Sequence, residues 1–312
     1  MQLVQLEKIS EIKTNNMKEF RDLMAQSESE ANVFICGVPF DKNASVGKGA
    51  SLAPKVIREL SYDLPALDML GNSLTKVKIS DLGDFSGDNF EILKEKIQNK
   101  LLSKDGFHII LGGDHSIAIA SERAFFDECK KKGKTPVIIH MDAHPDICDV
   151  YEGSKYSHAC PIFRALEYGY EDKNITLVGI RGFEAQEVET FKKHPQLDVY
   201  KAFDIKKLGV EALLTVLVAK YKDPKYEVYF SYDIDANDPA YAPGTGTPEA
   251  FGLTNFETVA ILTGLIANLN VTCLDIVEVA PPLDVNNITS WLALKSLYEV
   301  FHTLIEANIL KR

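Results

Sequence analysis

Short, nearly unbroken apolar runs alternate along the chain with longer stretches of helical spacing, which predicts strands separated by helices. Val33-Phe34-Ile35-Cys36, His108-Ile109-Ile110-Leu111 and Pro136-Val137-Ile138-Ile139 have the composition of buried strands. So do the stretches 175–180, 226–231 and 271–277, with a weaker candidate at 197–200. Lys76-Val77-Lys78-Ile79 leads into a predicted turn at Asp81-Leu82-Gly83-Asp84. Helical spacing covers 89–102, about 116–131, 161–167 and 210–221, with a short helix after Pro54. Thr254 and Glu257 have capping-box spacing ahead of a long apolar helix, and another helix ends the chain. Roughly eight strands, several apolar on both faces, predict a single-domain, three-layer α/β/α fold with a predominantly parallel central sheet. That domain spans residues 31–312 and follows a polar lead-in over residues 1–30. No internal repeat or Pro/Gly-rich linker divides it.

Composition narrows the function classes. The 312 residues are 46% hydrophobic and 25% charged, both globular values. A formal net charge of −11 disfavours nucleic acid or an anionic membrane as partner and suits a small cationic substrate. Residues 1–30 carry charges throughout and contain no signal-peptide apolar region, and the apolar stretch 288–310 is interrupted by Lys295, Glu299, His302 and Glu306. The five cysteines form no CxxC pair, which fits a reducing, cytoplasmic setting.

The chemistry-bearing side chains cluster where strands end. Asp142, His144 and Asp146 follow the run 136–139; alternate residues of an extended chain share a face, so these three project together. Asp233 and Asp235 follow 226–231 at the same spacing, Asp114 and His115 follow 108–111, and Glu278 follows 271–277. Open α/β sheets bind ligands beyond the carboxyl ends of their strands, so four such ends point to one site. Carboxylates with imidazoles make a poor core and a good divalent-metal site. Gly112-Gly113 lets the backbone pass close to that centre. The other histidines (His108, His140, His194 and His302) read as structural, and Cys148 and Cys160 as pocket wall, since nothing supplies a base for a cysteine nucleophile.

Leu111-Gly112-Gly113-Asp114-His115-Ser116, Asp142-Ala143-His144-Pro145-Asp146, Ser231-Tyr232-Asp233-Ile234-Asp235 and the stretch from Asp238-Pro239 to Thr247-Pro248 together resemble the ureohydrolase family of arginases and agmatinases. The resemblance runs from about Gly37 to the C-terminus. It implies two Mn²⁺ ions, with Co²⁺, Ni²⁺ or Zn²⁺ as possible substitutes: one held by His115, Asp142, Asp146 and Asp233, the other by His144, Asp142, Asp233 and Asp235. It implies cleavage of a guanidino compound to urea and an amine by metal-bound hydroxide. Glu278 would clamp the guanidinium, Asp146 would pass on the hydroxide proton, and His158 would shuttle protons. His158-Ala159 departs from the His-Gly of many relatives, and the added methyl narrows the local turn.

The loop 147–157 lacks the asparagines of arginases, and Gly179-Ile180-Arg181-Gly182 and Glu278-Val279-Ala280-Pro281-Pro282 look closer to agmatinases. The resemblance thus favours agmatine as substrate and putrescine as product, with Asp149, Glu152 or Glu184 available to the distal ammonium. Arginase, guanidinobutyrase, guanidine hydrolase and formiminoglutamase activities stay open; the last wants basic residues, for which Arg181 and Lys155 are the candidates. A non-catalytic metal-binding or regulatory protein on the same fold is the competing class. Trimers or hexamers would be typical of the family.

Overall fold

The computed structural model describes residues 19–62, 64–87 and 89–310, so most of the expected polar lead-in lies outside the described residues. Eight strands form one sheet: β1 Val33–Gly37, β2 Ile79–Asp84, β3 Phe107–Leu111, β4 Thr135–Met141, β5 Ile175–Ile180, β6 Asp198–Lys201, β7 Tyr226–Asp233 and β8 Val271–Val277. Every pair is parallel, and the order across the sheet is β2-β1-β3-β8-β7-β4-β5-β6. A parallel sheet needs both faces covered. β1, β3 and β5 are buried at every position, which is why they read as unbroken apolar runs.

The covering helices are α1 Ala53–Ser61, α2 Phe90–Lys96, α3 Ala118–Lys131, α4 Pro161–Tyr168, α5 Ala185–Lys193, α6 Ala202–Leu208, α7 Val210–Tyr221, α8 Asn255–Asn268 and α9 Ile288–Glu306. One core layer packs the residues of α1, α7, α8 and α9 on one face of the sheet. On the other face, α3 and the segment 97–101 bury Phe125, Ile97 and Leu101 against Cys36, Ile110 and Cys273. No described helix is long and apolar enough to cross a membrane.

Two local expectations change. Asp81-Leu82-Gly83-Asp84 is not a turn but the body of edge strand β2. Arg58 of α1 reaches it, with Nε 2.7 Å from Asp81 Oδ2 and Nη1 2.6 Å from Asp84 Oδ1, and this tertiary ion pair holds the polar run extended. Helices α5 and α6 were not anticipated, because α5 buries Glu187 and Thr190 and α6, seven residues long, buries only Ala202 and Ile205.

Candidate metal centre and active site

The four strands whose ends carry acidic or imidazole residues are consecutive in the sheet, as β3-β8-β7-β4. The last two strands of the sequence, β7 and β8, slot between β3 and β4. Asp142, His144 and Asp146 therefore meet Asp233, Asp235, His115 and Glu278 beyond the carboxyl ends, the place where open α/β sheets bind ligands. All are buried except His144, which is partly exposed.

His115 is the hub. Its Nδ1 lies 2.9 Å from Asp142 Oδ2, 3.2 Å from Asp146 Oδ2 and 3.0 Å from Asp233 Oδ2. Its Nε2 sits 2.9 Å from Ser231 Oγ, whose hydroxyl donates to Asp275 Oδ1 at 2.8 Å. That chain assigns the proton to Nε2 and leaves Nδ1 facing the carboxylates. Around the second imidazole, His144 Nδ1 is 3.1 Å from Asp235 Oδ2 and 3.5 Å from Asp142 Oδ1. Asp142 thus belongs to both groups. Gly182 is needed here: a Cβ at that position would lie 2.7 Å from the His144 ring.

The arrangement fits divalent cations. Asp142 Oδ2 is buried beside imidazole nitrogens yet makes no hydrogen bond, an expensive orphan unless a cation meets it. Burial, together with the neighbouring Asp142 and Asp235 charges, pushes Asp233 well above the ordinary carboxylate range; burial and Asp142 do the same to Asp146. Burial would also raise Asp142, but His140, His115 and His144 hold it well below its usual value. So much enclosed carboxylate is stable only beside positive charge. The donor set, aspartate oxygens with imidazoles and no thiolate, suits Mn²⁺ better than a sulfur-preferring ion.

Beside this cluster stand Glu278 and His158. Glu278 Oε1 accepts from the His115 backbone N–H at 2.8 Å and faces His158 Nδ1 at 3.2 Å. Its Oε2 takes part in neither contact and lies beside Gly246, whose own close approach is to the Gly47 carbonyl, where a Cβ would sit at 2.7 Å. Burial alone would lower the His158 pKa, but the Glu278 hydrogen bond and charge, with Asp146 and Asp114, hold it at about 9. Asp146 and Glu278 adopt φ of +50° and +61°, a region unfavourable for residues with a Cβ that concentrates at functional sites. A cavity of about 360 Å³ opens over both groups, lined by His144, Asp146, His158 and Asp233 at its floor. Its walls include Tyr151, Phe183, Glu184, Glu187 and Glu249, and no Lys or Arg among the described residues.

The sequence reading missed His140, treated there as structural. Its ring stacks on His115 at 4.7 Å, and its Nε2 lies 3.0 Å from Asp142 Oδ2. The signal was present: His140 and Asp142 are two apart on one strand edge, and so on one face. Other expectations are corrected. Asp149 is taken by Arg164 at 2.6 Å, and Glu152 lies in an exposed turn at φ +47°; neither lines the cavity. Arg181 donates to the carbonyls of Asp235, Asn237, Glu249 and Ala250, strapping the loop that follows β7 rather than offering its charge to a ligand. Lys155 is largely exposed, 3.9 Å from Asp149. Gly113 makes its close approach to the Phe40 carbonyl, where a Cβ would sit at 1.7 Å. Glu249 escaped notice because nothing local marks a loop glutamate. The Cys148 thiol is raised by burial, and Cys160 is pushed up to about 12, which removes both as nucleophiles.

A family description, Arginase family, matches residues 31–302. The chain is 35% identical to an agmatinase of Bacillus cereus over 88% of this chain and 92% of the relative. It is 32% identical to a guanidinobutyrase of Pseudomonas aeruginosa over 86% of this chain and 85% of that one. The crystal structure of agmatine ureohydrolase of Thermoplasma volcanium superposes with a TM-score of 0.82 at 31% identity, over 95% of this chain and 99% of the other. Fold, motif residues and these likenesses agree: the chain belongs to the arginase family, hydrolases that act on guanidino carbon–nitrogen bonds.

Proposed function

We propose that this chain is a binuclear manganese amidinohydrolase that converts agmatine to urea and putrescine. His115, Asp142, Asp146 and Asp233 would hold one cation and His144, Asp142, Asp233 and Asp235 the other, with Asp142 and Asp233 shared. Bound there, the ions would supply a water whose pKa falls to about 7 from 15.7 in bulk, a nucleophile at neutral pH.

The chain's own residues do the rest. Glu278 Oε2, unused by His115 and His158, accepts N–H donors of the guanidinium and fixes its carbon over the cluster. Asp146, at the cavity floor, accepts a proton from the attacking water. His158, held protonated through neutral pH beside Glu278, gives the proton that the departing amine needs.

The observation that supports agmatine as the substrate is the charge of the cavity wall. Glu184 and Glu249 line it, and no described Lys or Arg answers a carboxylate. A distal ammonium is complementary to that wall, whereas the carboxylate of arginine, of a guanidino acid or of formiminoglutamate meets like charge. Urea release from the Mn²⁺-loaded protein across these substrates is the test. Agmatine should show the highest kcat/KM. A guanidino acid turning over faster would overturn the substrate; protein holding two metals that releases urea or ammonia from none of them would favour a binding or regulatory protein. Exposed Phe203, Phe251 and Phe256 fit a homo-oligomer, trimer or hexamer, which light scattering would size. Five buried free cysteines fit a reducing cytoplasm.

A further inference from the structure

The β1–α1 loop crosses the cavity mouth, and the site as described leaves one of its residues unexplained. Ser45 lines the cavity. Its Oγ lies 2.9 Å from His158 Nε2, and its backbone N–H points at the same nitrogen, 3.3 Å away. The loop is held there from both ends. Asp114 Oδ2 accepts from the Asn43 N–H at 2.9 Å, and the Asn43 side chain donates to Ser116 Oγ at 3.2 Å. Asp41 Oδ2 accepts from the Gly49 N–H at 3.0 Å and from the Ser51 hydroxyl at 2.8 Å. The His158 backbone N–H in turn donates to the Asn43 carbonyl at 3.4 Å. Ser45 therefore stands where it does because the loop is built, not by a surface accident.

We propose that Ser45 is a positioning residue acting through His158: it fixes the imidazole between itself and Glu278 and relays the Nε2 proton to the cavity. This rests on the proton-carrying role given to His158 above. Glu278 claims Nδ1–H, so Nε2 is the nitrogen that gains and loses a proton. A hydroxyl suits both states, because it donates to a bare Nε2 and, after rotation, accepts from Nε2–H. In the relay, Oγ takes the Nε2 proton while its own proton leaves for the amine nitrogen in the cavity. One O–H bond forms as another breaks, and the serine ends neutral. The backbone N–H of Ser45 favours the bare nitrogen, so the hydroxyl is the group that stabilises the protonated state on this side. The other charged or titratable groups facing His158 are Glu278, Asp146 and Asp114, with the Tyr151 ring at 6.3 Å.

The test compares Ser45→Ala and Ser45→Thr with the wild type. Ser45 is half-buried in a loop, so both variants should fold, and thermal melts check this. With agmatine and Mn²⁺, Ser45→Ala should lower kcat about 10-fold at unchanged KM. It should also move the basic limb of the kcat–pH profile down by about one pH unit. Ser45→Thr, which keeps a hydroxyl, should restore both. A second readout needs no turnover: ¹⁵N-histidine NMR of Zn²⁺-loaded protein, with His158→Asn to assign the ring. Ser45→Ala should lower the His158 titration midpoint and mix its tautomers. An unchanged ring titration, or a rise in KM alone, overturns the proposal. If the wild type cleaves no guanidino compound, the hydrolase reading fails, while the NMR still decides whether Ser45 governs the imidazole.

Discussion

Each aspartate of the cluster is costly alone and useful together. Asp142 faces His115, His140 and His144, so it cannot be exchanged without disturbing both halves of the site. Asp142→Ala should fold but hold well under two metal equivalents by elemental analysis after gel filtration, and two full equivalents would contradict its shared position. His158 is different, because no group assigned to a cation depends on it. His158→Asn should keep the metal and lower kcat by about 10²–10⁴-fold. The sign of its pH dependence follows from a pKa held at about 9, above the ordinary imidazole value: the proton it donates is present through neutral pH and lost as pH rises through 9. The wild-type kcat should fall along that limb, and the variant should lack it. Most of these residues were legible as letters, since paired aspartates two apart on a strand edge share a face in any extended chain. His140 shares that two-residue spacing with Asp142, yet a histidine inside an apolar run looks the same whether it supports a metal site or fills a core.

Among the elements, the buried strands read correctly for a simple reason: a segment enclosed on both faces has no room for polar residues, so its composition is dictated locally. Edge strand β2 misread because its conformation depends on a partner 23 residues away, Arg58, whose Nε and Nη2 pair with Asp81 at 2.7 and 2.9 Å. Removing one partner of so enclosed a pair leaves a buried charge. Asp81→Ala should therefore destabilise the protein by about 3 kcal/mol in urea unfolding. A loss within about 0.5 kcal/mol would show that Asp84 and solvent suffice for the guanidinium. Helices α5 and α6 escaped for the opposite reason to the strands: α5 buries Glu187 and Thr190 rather than an apolar stripe, and α6 is only seven residues long.

For the whole molecule, the decisive feature is strand order. Cations that bind the folded cluster and not the unfolded chain should raise stability by about 2.7 kcal/mol at a concentration of 100 Kd. Mn²⁺ should accordingly raise Tm by about 5 °C over EDTA-treated protein, and an unchanged melt would argue against a preformed site. By itself the sequence determined the parallel α/β class, the buried strands, and which side chains stand at their ends, because each follows from local composition and the two-residue period of an extended chain. Only the tertiary structure decided that β7 and β8 enter between β3 and β4, that Arg181 is spent on backbone carbonyls, and that Glu249 and Ser45 reach the cavity. Those outcomes rest on contacts between residues far apart in the chain, which leave no mark on the spacing of their neighbours.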